Sequence, residues 1–254
     1  TNATQSGHSV SEADLMPGLE QAIANAPARV VVACFASNIA RLQTIGDLAH
    51  SSGRHLAVLG RSLNDMIASA KVCGYLQDNF NVVPAHDIGY LPPQEVLIIA
   101  TGSQGESAAA LNRLAQGTHP ELELEPYDRV IFSSKTIPGN ELAIEQLVSA
   151  LRSRKVEVID HSNTQLPIHA SGHPCVEELA QMYRWVDSSL AIPVHGEPQH
   201  LRANAEVAKQ CGIAQRLLGE NGDLFRIRPT PGIYRSAVRT GPLELLSNGQ
   251  LQPV

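Results

Sequence analysis

The sequence predicts an α/β protein built on a doubly wound parallel sheet. From Arg29 onward, short apolar runs alternate with segments of helical apolar period. The runs are apolar almost throughout, as strands covered on both faces are. Glycine, serine and asparagine follow several of them, where the next helix would start.

The first strand is predicted over Arg29 to Ala36. Ser37 or Asn38 can cap the helix after it, whose apolar face carries Ile39, Leu42, Ile45, Leu48 and Ala49 and which stops at Gly53. Leu56 to Leu59 is the second strand, followed by Gly60-Arg61-Ser62 and a helix over about 63–73. Glu95 to Thr101 is the third, then a glycine-bearing loop and a helix over about 106–116. Arg129 to Ser133 is the fourth, with a helix from Asn140 to Ser153 after Pro138-Gly139. Lys155 to Ile159 is the fifth. Strands and helices in strict alternation imply parallel pairing.

After Asp160 the rhythm changes to a histidine loop, a helix over 175–187, a strand over 190–194, a helix over 198–211 and a short strand from Asp223 to Ile227. A domain boundary is therefore expected near residue 158. The Pro- and Gly-bearing stretch from Pro229 reads as the start of a connector.

With 254 residues and 43% hydrophobic residues, the chain can bury a substantial core. Its four cysteines are far apart and form no CxxC pair, which argues against a disulfide framework or zinc knuckle and for a reducing, cytoplasmic setting. No stretch reaches the ~20 apolar residues that span a membrane. The net charge of −6 does not advertise a nucleic-acid binder, yet residues 200–239 concentrate Arg202, Lys209, Arg216, Arg226, Arg228, Arg235 and Arg239 against Glu206, Glu220 and Asp223. A local basic field can guide a polyanion on an acidic protein. An ordinary solvated surface accounts for the charge equally well.

Three loops are expected at the carboxyl ends of the strands, where open α/β sheets collect ligands: Ser37-Asn38, Gly102-Ser103-Gln104-Gly105-Glu106 and Ser133-Ser134-Lys135. Taken singly, each reads as plain helix capping. Three on one edge favour a phosphate-bearing ligand, because free N–H groups at helix starts attract phosphate. No GxGxxG opens the first helix, so the loops are not a dinucleotide fingerprint.

Two histidine clusters stand out, His169-Ala-Ser-Gly-His173 and Ile192-Pro-Val-His195-Gly-Glu197. The remaining histidines sit singly and read as loop, structural or solvent-facing residues. Imidazole can ligate zinc, pass a proton near neutrality or hold a phosphate. The spacing allows His169, His173 and His195 to converge on a shared metal or phosphate site, and a structural or solvent-facing role accounts for them equally well.

Together, His169-Ala-Ser-Gly-His173, Pro193-Val-His-Gly-Glu197, Gly102-Ser-Gln-Gly-Glu106, Phe35-Ala-Ser-Asn-Ile39, Gly60-Arg-Ser62 and Ile137-Pro-Gly-Asn-Glu141 resemble the ribonuclease J family, in order over roughly residues 1–228. That family belongs to the β-CASP branch of the metallo-β-lactamase-fold nucleases. The resemblance implies a β-CASP insertion over 12–157, flanked by the end of one metallo-β-lactamase segment (1–11) and the C-terminal segment of that αββα fold (158–228), with a linker starting at 229–254.

The same resemblance implies roles. His173 matches a histidine facing the scissile phosphate, and His195 matches a zinc ligand. His169, Ser171 and Gly172 match the phosphate-holding turn beside them; Ser37, Asn38, Ser103, Gln104, Glu106, Ser133 and Ser134 match the substrate-cradling loops. Thr1-Asn2 resembles the end of the family's Asp-Ser-Thr-Asn stretch. The implied activity is metal-dependent hydrolysis of single-stranded RNA, 5′-to-3′ from a 5′ monophosphate and also internally. Two zinc ions would serve it, with manganese or magnesium as alternatives, in a homodimer or homotetramer. The HxHxDH signature is absent, so the chain is expected to be a C-terminal portion, inactive and metal-free alone. Two other readings remain: a non-catalytic RNA-binding or dimerisation module, and a Rossmann-like binder of a phosphorylated metabolite.

Overall fold

The computed structural model describes residues 2–77 and 79–253. Five apolar runs that must be covered on both sides make its central sheet. They are β1 (Val30–Ala33), β2 (His55–Leu59), β3 (Val96–Ala100), β4 (Arg129–Phe132) and β5 (Glu157–Ile159). They pair in the order β2-β3-β1-β4-β5, all parallel. Every residue of β1 and β3 is fully buried, which explains why these strands read as unbroken apolar runs.

Side-chain alternation divides the core in two. Val30 and Val32 point to one face, against α1 (Met16–Ala24), α2 (Ile39–Ser51) and α3 (Arg61–Val72). Val31 and Ala33 point to the other, against α4 (Ala110–Ala115) and α5 (Glu141–Ser153). After α3, Val83 forms one parallel bridge with Ala57, its N–H donating to the Leu56 carbonyl at 2.8 Å. The chain then crosses to the second face through a 3-10 turn at Ala85–Tyr90.

Helix α1 is not among the elements expected from the sequence, and it begins at Met16-Pro17-Gly18. Proline is tolerated in a first helical turn, where its missing N–H has no partner to lose. Gly18 is required by contact: a Cβ there would sit 2.4 Å from the Pro167 carbonyl oxygen. Helix α4 begins four residues later than expected, since 106–109 are spent in turns.

The chain divides into two compact units, Val10–Ser171 and Thr1–Ser9 with Gly172–Val254. The expected boundary near 158 falls inside β5, and Ile168 and Ala170 pack with the core on the α1–α3 face. The second unit holds α6 (Val176–Val186), β6 (Leu190–Ala191), α7 (Pro198–Gln210) and β7 (Gln215–Arg216), with β6 and β7 pairing in parallel. Its small core joins Ala3, Leu179 and Val207. Strand β6 ends before Pro193, which cannot donate to a ladder. The short strand expected over Asp223 to Ile227 is β8 (Leu224–Arg226), and the stretch after Pro229, expected to be a connector, carries strands too: β9 (Gly232–Tyr234) pairs with β8, and β10 (Leu243–Leu245) with β11 (Leu251–Pro253). Among the described residues no helix is long and apolar enough to cross a membrane.

Candidate functional site

The register of the sheet brings three strand ends level. Ala33 of β1 lies beside Ala100 of β3 and Phe132 of β4. The loops that follow therefore share one edge, and polar side chains stitch them together. Gln104 is buried; its Nε2 donates to the Lys135 carbonyl at 3.1 Å, and its Oε1 accepts from Ile137 N at 3.0 Å and Asn140 Nδ2 at 3.3 Å. Buried Ser134 donates to the Ser103 carbonyl at 3.4 Å. Glu106 is exposed and its carboxylate accepts from Gln104 N at 3.0 Å. Gly105 has φ +79, and a Cβ there would meet the Ala143 backbone at 2.8 Å, so glycine alone fits this turn.

Asn38 caps α2, accepting from Arg41 N at 3.1 Å and donating to Glu12 Oε1 at 2.9 Å, while Ser37 stays exposed. Arg41, only 1% exposed, is the hub. Its Nε and Nη2 donate to both Glu12 oxygens at 2.8 and 2.7 Å, and its Nη1 donates to the Ser133 carbonyl and Oγ at 2.9 and 2.5 Å. Burial alone would raise the Glu12 pKa, but hydrogen bonds from Arg41 and Asn38 outweigh it and hold the carboxyl below its ordinary value. Ser133 Oγ in turn donates to the Ile168 carbonyl at 2.6 Å.

His169 Nδ1 lies 3.2 Å from the Ser133 carbonyl oxygen. A carbonyl only accepts, so the proton is assigned to Nδ1 and the Nε2 lone pair is left free. Burial, with the Arg41 charge, pushes the His169 pKa down and favours this neutral form. Arg41 and Glu12 escaped the sequence reading. The available signal was an arginine three residues after a helix cap, inside an apolar stripe.

In the other unit, the turn before α6 presents His173. Its carbonyl accepts from Asn2 Nδ2 at 2.8 Å, and Ser9 Oγ lies 2.9 Å from it. Glu178 closes a capping box by accepting from Cys175 N at 2.8 Å, and also accepts from Ser9 N at 2.9 Å. These hydrogen bonds hold the Glu178 carboxyl below its ordinary value. Thr1, which the sequence reading paired with Asn2, lies outside the described residues.

The rings of His173 and His195 stack, with centroids 5.5 Å apart and planes 25° from parallel. His195 is exposed and holds φ +62, a backbone conformation uncommon outside glycine. Burial and the neighbouring His195 lower the His173 pKa. Of the predicted residues, His173 and His195 meet in one unit together with Gly172. His169, Ser171, Ser37, Asn38, Ser103, Gln104, Glu106, Ser133 and Ser134 belong to the other.

A catalytic zinc needs about three protein ligands. Among the described residues no group of three or more His, Cys, Asp or Glu side chains could hold a metal ion. The residues present therefore do not fit a complete zinc centre.

Comparison with known families decides the assignment. The family model for the ribonuclease J β-CASP domain matches residues 27–151, and that for the Zn-dependent metallo-hydrolase RNA specificity domain matches residues 167–216. The chain belongs to the ribonuclease J family. Its sheet with the three polar loops is the β-CASP domain, and the RNA-specificity match contains His169, Ser171, Gly172, His173 and His195.

Ribonuclease J of Sinorhizobium meliloti is 34% identical over 260 residues, covering 98% of this chain and 46% of that protein. Ribonuclease J of Mycolicibacterium smegmatis is 39% identical over 225 residues, 87% of this chain and 40% of its own length. That of Mycoplasma genitalium is 37% identical over 214 residues, 84% of this chain and 37% of its own length. The chain thus spans less than half the length of these ribonuclease J relatives.

Proposed function

We propose that the chain serves a ribonuclease that hydrolyses single-stranded RNA from a 5′ monophosphate end and internally, in the cytoplasm. The observation that carries this reading is the His173–His195 pair: two imidazoles stacked at 5.5 Å, one partly buried and one exposed on a left-handed backbone. Strained, paired histidines of this kind mark sites rather than cores.

Phosphodiester hydrolysis needs an attacking water in line with the leaving oxygen, neutralisation of the phosphate, and a proton for that leaving oxygen. His173 is assigned the last task or a hydrogen bond to a phosphate oxygen. His195 is assigned to the metal, where it would be one ligand among several. The described side chains by themselves complete no metal centre. The three loops of the β-CASP sheet are assigned to the 5′ phosphate. The buried side chains are used in holding one another, so backbone N–H groups, the exposed Ser37 hydroxyl and the exposed Lys135 ammonium are the donors left for a phosphate. Zinc, the 5′ monophosphate and a homodimeric or homotetrameric state rest on the family likeness.

The test uses a polypeptide joining this chain to the family's HxHxDH-bearing half, with 5′-monophosphorylated single-stranded RNA and added zinc or manganese. His173→Ala is expected to slow cleavage by about 100-fold or more, the usual loss for a proton-transfer residue, while RNA affinity changes little. His195→Ala is expected to lower bound metal. Cleavage at the parent rate by His173→Ala sinks the assignment. RNA binding without cleavage by the joined parent protein would favour a non-catalytic module.

A further inference from the structure

We infer that the β8–β9 hairpin is a contact surface for single-stranded RNA, gripping phosphates with arginines and a base with Tyr234. The choice of RNA as the polyanion rests on the function proposed above. The surface itself rests on charge and geometry.

No acidic residue lies between Asp223 and Glu244, while Arg226, Arg228, Arg235 and Arg239 all do. On a chain of net charge −6 this is a concentrated basic segment. The hairpin register sets Leu224 opposite Tyr234, Phe225 opposite Ile233 and Arg226 opposite Gly232. Strand alternation then puts Leu224, Tyr234 and Arg226 on one face and turns Phe225 and Ile233 to the other. The second pair is half-buried. The first face is open, with Leu224 53% and Tyr234 50% exposed.

On the open face the Arg226 guanidinium lies over the Tyr234 ring, 5.4 Å from its centroid, and donates to the Tyr234 hydroxyl at 2.8 Å. Arg226 also donates to the Thr230 carbonyl at 2.8 Å. The ring is thereby held with the guanidinium against one side, and half of the residue stays exposed. Gly232 leaves bare backbone beside it. Arg235 is partly neutralised by Asp223 at 2.5 Å. Arg228 and Arg239 are exposed and make no ion pair among the described residues, so their charge is available.

Arginines track a phosphate backbone, and an aromatic ring accepts the π-face of any unstacked base. An acidic protein segment would use the arginines and leave the held tyrosine without a role. A duplex keeps its bases stacked away from such a ring. Single-stranded RNA uses both features.

The test measures binding of a fluorescent single-stranded RNA to this chain across a salt series, with EDTA present. Arg228→Gln/Arg239→Gln is expected to shallow the slope of log K against log salt by about 1.4, since each lost contact on a single strand removes about 0.7. Tyr234→Leu is expected to weaken binding about five-fold or more at constant slope, as loss of one base stack does. Tyr234→Phe, which keeps the ring, is expected to bind within about two-fold of the parent.

The inference is overturned if the parent chain binds no RNA, if the double variant keeps the parent slope, or if poly-glutamate binds as tightly as RNA with the same response to Tyr234→Leu. Circular dichroism of each variant checks that the fold is intact, and Leu224→Thr supplies a second readout if Tyr234→Leu unfolds. Its lost apolar contact on the same face is expected to weaken RNA binding, and parent affinity would count against the surface. Hairpin-dependent binding alongside failed cleavage in the histidine test would sink only the function proposed above. Cleavage that depends on His173 with hairpin-independent binding would sink only this one.

Discussion

Replacing Arg41 with methionine keeps the length of the side chain and removes its charge and four hydrogen bonds. Arg41 is 1% exposed, so no water reaches its site to compensate. Breaking a buried ion pair by removing one partner costs about 3–5 kcal/mol. Glu12 keeps 33% of its side chain exposed, so the stranded carboxylate is partly rehydrated and the lower end applies. Methionine also recovers packing. We expect a loss of about 3 kcal/mol, read as a lower urea midpoint at unchanged m-value by far-UV circular dichroism. Adding Glu12→Gln removes the stranded charge and should return about 1 kcal/mol, making the pair non-additive. A loss below about 1 kcal/mol for Arg41→Met, or strict additivity, would refute Arg41 as the hub of the strand-end loops.

Three further outcomes are expected. His169 has a folded pKa below its unfolded value of about 6.5, so its stabilisation is full above that pH and is lost as pH falls through the folded value. His169→Asn should therefore show a smaller drop in thermal midpoint between about pH 7.5 and 5.5, and an identical drop would contradict this. His119 and His173, also depressed by burial, keep part of the effect. Cys34 is buried with its thiol pushed up to about 12, so a thiol reagent should label exposed Cys73 in the native protein and reach Cys34 only on unfolding. Gly105→Ala combines a positive φ with a Cβ 2.8 Å from Ala143 and should cost about 2 kcal/mol; a neutral result would show that the loop can shift freely.

All five strands of the sheet were legible because burial on both faces leaves an unbroken apolar run, and their order follows from connections the sequence cannot show. The three loops at one edge could also be foreseen, since parallel strands place their carboxyl ends together. The use of those loops could not. Whether Gln104 faces a ligand or Lys135 depends on register between segments 31 residues apart. Arg41 was hidden for the opposite reason: a charged residue inside an apolar helical stripe looks like a solvated edge until its partners Glu12 and Ser133 are placed. Glycine-bearing turns marked His169, His173 and His195 together; His173 and His195 stack, while His169 belongs to the other unit. Strand β8 was legible as Asp223 to Ile227, but its partner β9 and the β10–β11 hairpin were missed because Pro229, Pro231 and Gly232 read as a connector, and proline at a turn between short edge strands is compatible with both.

The left-handed backbone at His195 has an implication for how this chain would change under selection for heat resistance alone. An L-residue other than glycine costs about 1–2 kcal/mol there. Drift towards glycine would relieve the twist at this exposed position, where the side chain supplies little packing. An imidazole retained at such a place works against thermostability, so a library screened only by melting temperature should lose it early.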